Sequence, residues 1–156
     1  MGIEGRQTGW LSALHHLRLR ELLLHTSTRY ELLCPVYCLM PDHGHFLFGG
    51  LTSNSDQRKA VKFLRTGWNR ILREESGSFE LQKQAFDHVL TKRETDRKTF
   101  EKVMGYIREN PVRAGLVSDT ARWRFGGSIV PGYPYLNSNE DNFGETFWKI
   151  YHAVGE

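Results

Sequence analysis

Residues 34–40 (CPVYCLM) and 43–48 (HGHFLF) are two β-forming runs separated only by Pro41-Asp42, and no other feature narrows the fold of this chain as much. Pro-Asp supplies turn chemistry and Gly49-Gly50 closes the second run, while Pro35 puts the start of the first at a strand end or edge. The pattern predicts an antiparallel hairpin over residues 34–49.

Helical patterns flank it. Over residues 10–28, Leu11, Leu14, Leu17 and Leu22 belong to a set of leucines that reaches nearly all round the helix, which predicts a well-buried element. Over residues 56–75, Val61, Leu64, Trp68, Ile71 and Leu72 form one stripe, and Arg58, Lys59, Lys62, Arg65, Arg70 and Arg73 take the rest of the circumference. Residues 81–90 read as a strand. Thr91-Lys92-Arg93-Glu94 fits a capping box that opens a third helix, and Pro111 stops that helix at Asn110. A short helix ending at Gly115 follows. Residues 124–140, rich in Gly, Pro, Tyr and Asn, read as an ordered loop, and a last helix over 141–153 carries Phe143, Phe147, Ile150 and Tyr151 at helical spacing. No repeat or linker divides the 156 residues, so the expectation is one domain over 1–156 with a loop and helix at 124–156.

The longest apolar runs are a few residues, as at Leu22 to Leu24, which excludes a membrane-spanning helix; with no secretory signal at the start, the expected location is the cytoplasm. Cys34 and Cys38, four apart in a strand, have Cα atoms about 13 Å apart, beyond disulfide reach. They read as reduced core residues, and a zinc site that adds His43 and His45 has the wrong spacing for a finger. Net charge is only +3, but residues 56–125 carry +6 and residues 126–156 carry −3. A basic block of this kind suits phosphate binding and, equally, a solvated helix face.

His43 and His45 are two apart in a strand, so both imidazoles project from one face and can share an ion. Two unrelated polar residues on a half-exposed strand have the same spacing. On the third helix Phe100, Val103, Met104 and Ile107 define the core stripe, and Tyr106 lies about 110° from its centre. Asn110 is one turn further along the same face, where its amide oxygen can join a metal site; a helix-closing Asn beside a flanking Tyr fits equally well.

Three segments taken together resemble the REP-associated tyrosine transposases, a group of single-tyrosine HUH transposases. They are YCLMPDHGHFLF at 37–48, QAFDHVL at 84–90 and YIRENPVRAGLV at 106–117, in that order, and the resemblance covers roughly residues 10–136. It implies an α+β, ferredoxin-like antiparallel sheet with helices packed on it. It also implies that His43, His45 and Asn110 bind Mg2+ or Mn2+, and that Tyr106 attacks a phosphate of single-stranded or hairpin DNA to leave a 5′-phosphotyrosine and a free 3′-hydroxyl. His88 is an auxiliary candidate beside that site. Arg113 is a candidate phosphate contact, and Arg58, Lys62 and Arg65 are candidates for backbone contact. The sequence leaves the oligomeric state open.

Two departures from the family pattern stand out. Gly44 replaces the hydrophobic residue between the histidines, which predicts a looser metal site. The family's opening strand has no clear counterpart in residues 1–9. Both features favour a second function, a non-catalytic protein that recognises DNA hairpins, whereas the complete set His43, His45, Tyr106 and Asn110 favours the enzyme. A water-using metal nuclease is a third.

Overall fold

Ser12 opens the first helix by accepting a hydrogen bond from His15 N–H at 3.0 Å, and α1 then runs Ala13–Arg29. The computed structural model describes residues 1–83 and 96–154. The hairpin forms as expected, with β1 at Leu32–Met40 and β2 at His43–Gly50. Asp56 caps α2, Gln57–Ser76, by accepting from Lys59 N–H at 2.9 Å, and Gly77 ends it at φ 70°, a left-handed conformation that costs glycine little. After α3, Arg97–Arg108, the short α4, Asn110–Arg113, carries Pro111 in its first turn. Beyond lie β3, Gly126–Ile129, and α5, Phe143–Val154.

The sheet order is β2-β1-β3, antiparallel throughout. All nine residues of β1 are buried, because helices cover both of its faces. On one side Cys34, Tyr37 and Leu39 pack with Leu19 and Leu23 of α1 and Leu64, Trp68 and Leu72 of α2. On the other, Val36, Cys38 and Met40 pack with Phe100, Met104 and Ile107 of α3 and Phe143, Phe147 and Trp148 of α5. Each fully buried leucine contributes about 1.5–3 kcal/mol. The register of β1 slips between Leu33 and Val36 against β2 and between Cys34 and Tyr37 against β3, around Pro35, which has no N–H for the ladder.

Four expectations need correction. Leu14, Leu17 and Leu24 are 60%, 56% and 48% exposed, so α1 is one-sided: the sheet and α2 cover only the flank that carries Leu19 and Leu23. Residues 124–140 are not all loop, since Gly126, Gly127 and Ile129 pair with Cys38, Tyr37 and Cys34. A Cβ on Gly127 would lie 2.9 Å from the Arg20 guanidinium and 3.1 Å from the Tyr37 hydroxyl, so a side chain there would have to displace the end of Arg20. The third helix opens at Asp96, whose carboxylate accepts from Thr99 N–H at 3.0 Å. It ends at Arg108 rather than Asn110. The proposed capping box at 91–94, residues 84–90 of the expected strand, and His88 lie outside the described residues.

The place of the missing opening strand is held by a short stretch of extended backbone. Gly2 bridges His43 and Ile3 bridges Leu81. Ile3 N–H donates to Asp42 O at 2.9 Å, Gly44 N–H to Met1 O at 2.7 Å and Gln82 N–H to Gly2 O at 2.8 Å. Residues 1–4 thus lie between the start of β2 and residues 80–82, pinned by the fully buried Ile3. Cys34 and Cys38 are free and buried, and burial pushes both thiols up to about 12. Among the described residues no helix is long and apolar enough to cross a membrane.

Candidate active site

His43 and His45 stand opposite Met40 and Cys38 in the β1–β2 ladder, so they share the face that α3 covers. Their rings lie 4.7 Å apart and their Nε2 atoms 2.9 Å apart. Burial, followed by the positive charges of His43, the Met1 amine, Arg113 and Arg6, lowers the His45 pKa to about 4. His45 is therefore neutral near pH 7, the form in which imidazole binds metal. On its other ring nitrogen His43 meets Asp42: Nδ1 is 2.6 Å from Oδ1. Arg6 donates to the second oxygen, Oδ2, at 3.1 Å. Burial would raise the Asp42 pKa, but the bond to His43, its charge and that of Arg6 outweigh burial and hold the carboxyl below its usual range.

Gly44 points to the opposite face, into the aromatic packing under α2. A Cβ at this position would come 2.9 Å from Cη2 of Trp68 and 2.9 Å from Cε2 of Phe46. The indole, fully buried, therefore fills the room that a hydrophobic side chain between the histidines would take. The Gly44 backbone is held by hydrogen bonds to Met1 in both directions, N–H to O at 2.7 Å and O from the Met1 amine at 2.8 Å. Gly44→Val is expected to cost about 1–3 kcal/mol by overpacking. Chemical denaturation checks this, and Trp68→Leu should recover part of the loss in the double variant. Wild-type stability in Gly44→Val would show that the indole yields freely.

Tyr106 projects from α3 at 57% exposure, outside the buried stripe of Phe100, Met104 and Ile107. The Arg113 guanidinium lies 3.7 Å from its ring centroid and donates to the Tyr106 carbonyl at 3.0 Å. Asn110 donates its amide N–H groups to the carbonyls of Tyr106 at 3.1 Å and Ile107 at 3.2 Å, closing the last turn of α3. Its amide oxygen takes no part in those bonds. The structure thus brings Tyr106, Asn110 and Arg113 together at the end of α3. The Arg113 charge is also one of those that lower the His45 pKa.

The basic residues of α2 sit elsewhere, on the other helical layer. Arg58, Lys62 and Arg65 line a shallow groove of about 340 Å3 with Val61, Thr66 and Asn69. Arg65 is committed to the fold: its guanidinium donates to the carbonyl of Gln82 and, at 3.3 Å, to that of Lys83. Arg58 and Lys62 are exposed. Sequence reasoning misses Asp42, which reads only as a turn residue, and Arg6; adjacency to His43 is the signal for the former.

Among the described residues no three His, Cys, Asp or Glu side chains cluster as a metal cage. The donor chemistry nevertheless suits a divalent ion: the two imidazole Nε2 atoms lie 2.9 Å apart, the Asn110 amide supplies an oxygen of the kind such an ion takes, and positions are left for water or phosphate oxygens.

No family model matches the chain, and no curated protein does. A solved structure of a REP-associated tyrosine transposase bound to a REP hairpin matches with a TM-score of 0.64 at 16% identity, covering 80% of this chain and 71% of that one. The chain has the α+β fold of that transposase.

Proposed function

We propose that the chain cleaves and rejoins single-stranded DNA beside a hairpin through a 5′-phosphotyrosine at Tyr106. The observation that carries this reading is the convergence of the two Nε2 atoms on the face of the sheet from which α3 presents an exposed tyrosine. The likeness in fold to a transposase solved with a hairpin supports it.

His43, His45 and the amide oxygen of Asn110 would hold Mg2+ or Mn2+, which when bound polarises the scissile phosphate. Tyr106 Oη attacks phosphorus and its bond to the 3′-oxygen breaks; that oxygen leaves as a 3′-hydroxyl after taking a proton, and the phosphate stays on the tyrosine. The partly exposed phenol passes its own proton to solvent. Arg113 holds the ring from one face and anchors the backbone beneath it, which restricts the rotamers of the nucleophile. Attack by a 3′-hydroxyl reverses the step and frees Tyr106. Incubation with hairpin DNA and Mn2+, followed by a denaturing gel, tests the proposal: a covalent protein–DNA adduct is expected, and cleavage without one would exclude it.

DNA that reaches both the histidines and the α2 groove passes round the sheet edge held by residues 1–4 and 80–83. Replacing Arg58 and Lys62 with Gln should therefore weaken hairpins and unrelated single strands by similar factors. The slope of log affinity against log salt should flatten by about 0.7 for each phosphate that is no longer neutralised. An unchanged slope in the folded double variant would reduce these cations to solubilising charges. Arg65 is unsuited to the test, because its loss also frees the Gln82 and Lys83 carbonyls.

A further inference from the structure

We infer that Asp42 is a positioning residue of the histidine pair: anchored by Arg6, it fixes the ring proton of His43 on Nδ1 and so leaves the Nε2 lone pair directed toward Nε2 of His45. The inference rests on the metal-assisted reading and extends it to two residues outside the ligand set. An imidazole that binds through Nε2 has to carry its remaining proton on Nδ1, and a fixed acceptor at Nδ1 decides the tautomer. Asp42 Oδ1, 2.6 Å away, is such an acceptor, since an ionised carboxylate can only accept.

Asp42 is itself held from two sides. Its carbonyl accepts from Ile3 N–H at 2.9 Å, and its Oδ2 accepts from Arg6 at 3.1 Å. Arg6 reaches it from a backbone with φ 55°, next to Gly5 at φ 63°. A left-handed non-glycine residue is disfavoured, so the surrounding contacts have to hold it there. Asp42 also supplies negative charge where Arg6, Arg113 and the Met1 amine crowd the pair with positive charge that opposes a divalent cation.

The full chain, labelled with 15N at histidine, allows a direct test at pH 7.5 with Asp42→Ala, Asp42→Asn and Arg6→Ala. Long-range 1H–15N correlation without metal should find His43 protonated on Nδ1 in the wild type and mainly on Nε2 in Asp42→Ala. Affinity for Mn2+, read by electron paramagnetic resonance, should fall about 10- to 100-fold in Asp42→Ala. In Arg6→Ala it should fall less, because the bond to His43 remains. An unchanged tautomer with an unchanged Mn2+ Kd, even alongside a lower Tm, would overturn the inference and leave Asp42 a turn residue. Asp42→Asn, whose amide oxygen can still accept from Nδ1, should lose less affinity than Asp42→Ala. If Asp42→Ala does not fold, Asp42→Leu fills the same place with no acceptor: a raised Kd supports the inference and an unchanged one overturns it. A wild type that binds no Mn2+ would sink the metal reading, and the tautomer would still decide whether Asp42 orients His43.

Discussion

Tyr106→Phe should abolish the covalent adduct while leaving hairpin affinity within about a factor of two of the wild type. The substitution removes one oxygen, the only atom of this side chain that the proposed chemistry uses. The ring stays, and so does the Arg113 guanidinium 3.7 Å from its centroid, so the end of α3 keeps its packing. Binding and chemistry should thus separate cleanly, with gel retardation reporting the first and a denaturing gel the second. If the Phe variant still cleaves, water is the attacking group and the chain is a metal nuclease with a structural tyrosine.

Loss of either histidine should act earlier in the sequence of events. His43→Ala or His45→Ala removes one of two imidazole nitrogens that converge to 2.9 Å, and Mn2+ affinity should fall by two orders of magnitude or more, on the order of 3 kcal/mol, taking cleavage with it. Asn110→Ala should weaken the ion less, since an amide oxygen is the poorer ligand. It also strips two donors from the last turn of α3, at about 0.5–1.5 kcal/mol each, so calorimetric titration has to be run well below its Tm. Equal Mn2+ binding by the wild type and both histidine variants would place the ion elsewhere.

How much of the fold and site is legible in the sequence depends on whether a residue's neighbours are close in the chain. The hairpin is, because Pro41-Asp42 and Gly49-Gly50 mark its turn and end locally. The basic and apolar faces of α2 are, because a helix displays its own periodicity. β3 is not: its Gly-Gly-Ser opening carries no alternation, and Gly127 is explained only by Arg20 and Tyr37, which are remote in sequence. Nor is the exposure of Leu14, Leu17 and Leu24, for a set of leucines cannot say which side of α1 the sheet will take. Arg65 resembles its basic neighbours until the carbonyls of residues 82 and 83 come beside it. The histidine pair is legible as a pair, whereas its carboxylate partner is hidden by a sufficient local explanation.

The indole of Trp68 against Gly44 also bears on how such a site changes over evolutionary time. Volume that a side chain between the two histidines would occupy is filled here from a helix 24 positions downstream, so a change at either position is felt at the other. A smaller residue at 68 opens a hole beneath the strand that carries the histidines, and a larger one at 44 collides with the ring. The two are expected to exchange in concert, a branched residue at 44 arriving with a slimmer one at 68. The passage runs most easily through an intermediate that is underpacked rather than overfilled. The site is thus inherited as a shape shared by two distant codons, and His-x-His read along the chain sees only half of it.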